Sequence, residues 1–136
     1  LQAGVGGLAS AAAAYFRHAW GDAPRIVVVE PEVAPALIKS VKAGKPVVSK
    51  GPVSEMGRLD CKDPSHIALK ALARDANDFV TITEAEGQAL LSMLEDQGLA
   101  GSTSGAAGLS AIPVYKDALG IDANSRVLAV LSEGPA

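Results

Sequence analysis

The residues most suited to chemistry stand near the beginning of the chain, where Gly4-Val5-Gly6-Gly7-Leu8-Ala9 forms a glycine turn running into an Ala-rich helix. Glycines let backbone N–H groups approach an anion closely, and the first turn of the following helix adds its positive dipole end. A phosphate group fits such a turn. Two ligands compete for it. Read as G-x-G-x-x-A with Glu30 at the end of the next strand, the segment meets the dinucleotide fingerprint, in which the acid holds a ribose hydroxyl of a nicotinamide or flavin dinucleotide. The other candidate is a single phosphate ester. Further along, Ser102-Thr103-Ser104-Gly105-Ala106-Ala107-Gly108-Leu109 reads as a small-residue loop opening a helix, a second anion-friendly or close-packing surface. Ser132 is a hydroxyl at the end of the last apolar run, where open α/β sheets place their ligands and where it can hydrogen-bond a ring nitrogen. Asp60 and Cys61 share one loop. Asp60 is a candidate acid or ammonium contact, with a solvated carboxylate as the plainer reading. For Cys61 a small buried thiol is the expected state.

The elements that must carry these residues follow from periodicity. Residues 8–20 hold no Gly or Pro and are dominated by Ala, so a helix is expected there. Arg25-Ile26-Val27-Val28-Val29-Glu30 reads as a short strand covered on both faces. A helix is expected over 32–43 and an irregular, site-lining loop over 45–61. Another helix opens at Asp63-Pro64-Ser65, and Asp78-Phe79-Val80-Thr81-Ile82-Thr83 reads as a strand. Thr83 and Glu86 form a capping-box pair at the start of the next helix. The 109–119 segment is apolar and interrupted by Pro113, and residues 126–131 are expected to form a final strand. This alternation defines an α/β layer fold with a mainly parallel sheet flanked by helices on both faces.

Composition excludes several classes. The 136 residues hold 12 Lys+Arg against 15 Asp+Glu, a formal charge of -3, so there is no basic field for nucleic acid. The longest apolar stretches, 26–29 and 127–131, fall far short of the roughly 20 residues a membrane helix requires. One cysteine and two separated histidines, His18 and His66, give neither a disulfide framework nor zinc spacing. We expect a cytoplasmic protein. The chain opens without Met directly on the glycine turn, so we expect the back part of a longer polypeptide, with the strand that normally precedes such a turn missing.

Taken in order, Gln2-Ala3-Gly4-Val5-Gly6-Gly7, Val29-Glu30-Pro31-Glu32, Met56-Gly57-Arg58-Leu59-Asp60-Cys61-Lys62-Asp63-Pro64, Ser104-Gly105-Ala106-Ala107-Gly108-Leu109 and Ser132-Glu133-Gly134 resemble the diaminopropionate ammonia-lyases. These are fold type II pyridoxal-phosphate enzymes of the tryptophan synthase β-subunit superfamily, together with threonine and serine dehydratases. The resemblance implies that Gly4, Val5, Gly6 and Gly7 cradle the cofactor phosphate and that Ser132 faces the pyridine nitrogen. It implies α,β-elimination of a small amino acid, with release of an oxo acid and ammonia, and a homodimer. The Schiff-base lysine of these enzymes precedes the glycine loop, so it is expected outside this chain, and the 136 residues alone are expected to be inert. Lys50, after the loop, reads as a solvated lysine. Thr103 stands where the ammonia-lyases usually carry glutamate, which leaves diaminopropionate, threonine and serine all open as substrates. A bulky side chain at Gly6 is expected to block the backbone's approach to phosphate.

Overall fold

The structure is a computed structural model and describes residues 1–135. Its order is α1 (Gly7–Trp20), β1 (Val27–Pro31), α2 (Ala36–Ala43), a one-turn 3-10 helix (Gly57–Leu59), α3 (His66–Asp75), β2 (Asp78–Ile82), α4 (Glu84–Glu95) and α5 (Thr103–Tyr115). β1 and β2 are parallel, with Val27 opposite Asp78 and Pro31 opposite Ile82. The expected missing strand is present in part. Ala3 N donates to Val29 O and Val29 N to Leu1 O, both at 2.9 Å, so residues 1–3 continue the sheet as a parallel bridge beside β1.

Alternation along β1 sends successive side chains to opposite faces. Val28 packs with Ala9, Ala13, Leu37 and Leu72 from α1, α2 and α3. Val29 turns the other way, onto Met56, Leu59, Ile82, Ala107 and Ala111, which brings α5 against the second face. The result is the expected three-layer α/β arrangement, with the apolar continuity of β1 explained by burial on both sides. α4 joins α5 through Leu90, Leu94 and Ala106.

The helix starts follow local chemistry. Ser65 caps α3 by accepting from Ala68 N at 3.3 Å. Thr83 and Glu86 satisfy each other's backbone, Thr83 Oγ1 accepting from Glu86 N at 3.1 Å and Glu86 Oε2 from Thr83 N at 2.7 Å. Thr83→Ala is expected to lower stability by about 1 kcal/mol in urea denaturation, the usual cost of losing such a cap. An unchanged midpoint would show that tertiary packing alone holds the start of α4.

Three expectations are corrected. α2 begins at Ala36 rather than Glu32, because Pro35, at the N-cap position, disfavours helical geometry in the residue before it. The small-residue segment after Ser102 is the opening of α5, with Ser102 Oγ accepting from Gly105 N at 3.0 Å. α5 also runs through Pro113 to Tyr115, whose hydroxyl donates to Thr81 O at 2.6 Å and pins the last turn to β2. The third correction concerns residues 126–131, which form no strand. A strand needs a ladder partner, and among the described residues none lies beside this segment. Val127 and Leu128 are 51% and 63% exposed.

Candidate functional site

A cavity of about 300 Å³ gathers the segments that the sequence singled out. Its walls are the turn from Gln2 to Leu8, Arg58, Leu59 and Cys61 from the 3-10 helix and its exit, Ser104 and Gly105 from α5, and Ser132 with Glu133. Residues more than a hundred positions apart therefore meet at one place.

The glycine turn is held from behind. Gly6 has φ 100°, and a Cβ there would stand 3.0 Å from Ala68 Cβ and 3.2 Å from Leu37 Cδ1. Gly4 is equally confined, its hypothetical Cβ lying 2.9 Å from Cys61 Sγ and 3.0 Å from Arg58 O. Val5 O accepts from Ser65 N at 3.1 Å, which ties the turn to the start of α3. Gly6 is the N-cap of α1 and makes no side-chain cap bond, and the first intrahelical bond runs from Ser10 N to Gly6 O at 2.8 Å. Among the described residues, no acceptor meets the backbone N–H groups of Gly4, Val5, Gly6, Gly7, Leu8 or Ala9. Unpaired donors of this kind, at a helix N-terminus and against an open cavity, form a nest for a phosphate-sized anion. The residues present therefore fit a phosphate ester.

On the opposite wall, Ser132 Oγ accepts from Gln2 Nε2 at 2.7 Å, and Ser132 N donates to Gly105 O at 3.3 Å. Ser132 thus reaches the cavity from an irregular segment rather than from a strand end. Glu133 closes the rim. Its carboxylate takes bonds from the Ser102 hydroxyl and from Arg58 Nε, the latter at 3.1 Å, and these two donors hold the Glu133 carboxyl below the usual range. Arg58 N in turn donates to Ser104 Oγ at 3.2 Å.

Other candidates fall elsewhere. Asp60 does not line the cavity. Its carboxylate pairs with Lys62, whose ammonium also reaches Val33 O at 3.0 Å and Pro52 O at 2.8 Å. Cys61 lines the wall and is half-buried rather than fully enclosed. Lys50 is exposed on its loop, and His18 and His66 are exposed on α1 and α3. Among the described residues no lysine lines the cavity.

Glu30 overturns the dinucleotide alternative. Its side chain is 0% exposed, with Oε1 accepting from Leu37 N and Oε2 from Ile38 N, each at 2.8 Å. Both carboxylate oxygens are committed to the start of α2, and Glu30 lies outside the cavity wall. No ribose can reach it. Sequence reasoning missed this capping role, and it missed Gln2 as the link between the first segment and Ser132. The only sequence signals were an acid beside Pro31 and a polar residue inside an apolar opening.

The model of the family described as pyridoxal-phosphate dependent enzyme matches residues 1–133. The chain belongs to that family, whose members bind pyridoxal 5'-phosphate. No curated protein matches it significantly. Among solved structures, the processed form of threonine deaminase isoform 2 from Solanum lycopersicum superposes with TM-score 0.91 at 20% identity, over 99% of this chain and 39% of that one. A fungal L-serine ammonia-lyase from Rhizomucor miehei gives 0.84 at 21% identity, over 98% and 44%. Diaminopropionate ammonia lyase from Escherichia coli in complex with D-serine gives 0.87 at 21%, over 98% and 37%. The chain thus spans between 37% and 44% of the length of these three structures. Among the described residues, no helix is long and apolar enough to cross a membrane.

Proposed function

We propose that this chain forms the phosphate-holding and ring-facing wall of a pyridoxal-phosphate ammonia-lyase acting by α,β-elimination on a small amino acid, with 2,3-diaminopropionate as substrate. The observation that carries the reading is the row of six backbone N–H groups, Gly4 to Ala9, without acceptors beside a cavity that Ser132 also lines. A threonine or serine dehydratase is the second reading, favoured by the superposition on tomato threonine deaminase.

Bound pyridoxal phosphate supplies an electron sink for negative charge developing at the substrate α-carbon. In this reading Gly4, Val5, Gly6 and Gly7 donate their backbone N–H groups to the phosphate, and the α1 dipole favours its charge. Ser132 offers an uncharged hydroxyl to the ring nitrogen, which stabilises a protonated ring far less than a carboxylate would. The Arg58 and Glu133 pair bridges the 3-10 helix to the 132–135 segment and fixes the cavity rim. Asp60 receives no catalytic part, because its pairing with Lys62 serves the loop. The reading assigns the Schiff-base lysine to a segment beyond these residues, and it includes a cytoplasmic homodimer.

The test is the intact mass of the protein before and after borohydride reduction, followed by turnover with diaminopropionate, threonine and serine. A stable pyridoxal-phosphate adduct with turnover highest on diaminopropionate supports the first reading, and preference for threonine or serine supports the second. An enzyme that gains no adduct refutes both. Ser132→Ala is expected to lower kcat about tenfold or more while cofactor retention changes less, since a hydrogen bond worth about 1.4 kcal/mol corresponds to a factor of ten. An unaffected rate removes Ser132 from the site.

A further inference from the structure

Gln2 is 2% exposed, and its side chain reaches the two segments that close the cavity. Nε2 stands 2.8 Å from Gly105 O, 2.9 Å from Val130 O and 2.7 Å from Ser132 Oγ. An amide nitrogen has two protons, so three acceptors are more than it can fully satisfy. The reverse amide orientation would aim an oxygen at two carbonyl oxygens, so the acceptors themselves fix which end faces Ser132.

The other end of the same group is costly. Gln2 Oε1 is buried and, among the described residues, has no hydrogen-bond partner. A Cβ at Gly108 would lie 2.8 Å from this oxygen, so α5 offers a glycine where the amide passes. Leaving a buried carbonyl oxygen unsatisfied costs about 1–3 kcal/mol. An apolar side chain of the same length would fill the space without that penalty, so the NH2 group has a use that outweighs it.

That use lies at Ser132. The 126–132 segment has no ladder, and Gln2 holds it through Val130 O and Ser132 Oγ. Ser132 Oγ accepts from Gln2, and among the described residues its own proton has no acceptor. A hydroxyl that accepts one hydrogen bond becomes a better donor in another. We infer that Gln2 is a positioning residue that holds the Ser132 hydroxyl as a donor toward the cavity, where it meets an unprotonated ring nitrogen. This rests on the proposed reading that the cavity takes pyridoxal phosphate with its ring at Ser132. The consequence is that Gln2 helps keep the cofactor ring neutral.

The experiment uses the intact holoenzyme and compares Gln2→Met, Ser132→Ala and the double variant. The readouts are the pH dependence of the bound cofactor's absorbance and the pyridoxal-phosphate Kd by equilibrium dialysis, with near-UV circular dichroism reporting the fold. Gln2→Met is expected to weaken Kd by no more than Ser132→Ala does, less than the roughly tenfold, about 1.4 kcal/mol, of one full hydrogen bond, and to move the pH midpoint of the spectrum. Ser132→Ala is expected to move it too, and the double variant no further than Ser132→Ala alone. If Gln2→Met loses its near-UV spectrum, Gln2→Asn, which keeps the amide but withdraws it by one methylene, is expected to give the same shift. Additive effects, or a folded Gln2 variant with the wild-type midpoint, overturn the inference while the proposed function stands. A wild-type spectrum and Kd in Ser132→Ala overturn the ring placement itself.

Discussion

Near pH 4.5, Glu30→Ala lowers the unfolding free energy by about 3–5 kcal/mol in urea denaturation, a loss as large as that of truncating a buried core side chain. α2 has Pro35 at its N-cap and no side-chain cap bond of the usual kind. Glu30 reaches over from the end of β1 and supplies both acceptors, to Leu37 N and Ile38 N. Alanine leaves two N–H groups without acceptors and a void between strand and helix. Burial pushes the Glu30 carboxyl up to about 7, against the two N–H bonds, which pull it down. The folded state therefore keeps a proton that the unfolded chain has released above its ordinary value of 4.5. Stability from this group is fully present below about 4.5 and is lost as pH rises through about 7. Across that window the loss amounts to about 3 kcal/mol at 1.36 kcal/mol per pKa unit. Glu30→Gln removes the titration, so the stability difference between wild type and variant must change over the window. A constant difference would mean that the carboxyl is solvated or unshifted.

Gly6→Val is expected to cost about 3 kcal/mol or more, seen as a lowered urea midpoint in the absence of cofactor. At φ 100° an L side chain is strained, by about 1–3 kcal/mol. The added Cβ would also press on Ala68, Leu37 and Leu72 at 3.0, 3.2 and 3.3 Å. A bulky residue here thus points into the core behind the turn, and not toward a bound phosphate as the sequence alone suggested. Weaker cofactor binding in this variant would follow from a displaced turn. Gly7→Ala is the matched control, because a Cβ at Gly7 meets nothing within 4 Å and the residue is already helical. It should melt at or slightly above the wild-type midpoint. Equal midpoints for wild type and Gly6→Val would show that the turn does not have this backbone.

Much of the fold was legible because its signals are local. The apolar run at 26–29 and the alternating helices specify a parallel layered sheet, and Ser65 and the Thr83–Glu86 pair mark helix starts by bonds within three residues. The run at 126–131 is also apolar after Arg126 and carries Val127 and Val130, yet it forms no strand, since pairing depends on a neighbour as well as on the residues themselves. By sequence Asp60 read either as a site acid or as a solvated loop carboxylate, and the ion pair it forms with Lys62, two residues on, is a contact that only the folded loop shows.

The sequence by itself determined most of the helices, the two paired strands, the glycine turn and, through the order of its motifs, the family resemblance, because propensity, caps and turn residues are written locally. Only the tertiary structure decided what the remaining polar groups do. Glu30 could hold a ribose or cap a helix, and contact with Leu37 and Ile38 chose the cap. Gln2 and Ser132 lie 130 positions apart, and no local pattern announces that one amide joins them. Hydrogen bonds over that separation exist only after the sheet and α5 have closed, which is why the wall of the cavity was visible in the sequence and its wiring was not.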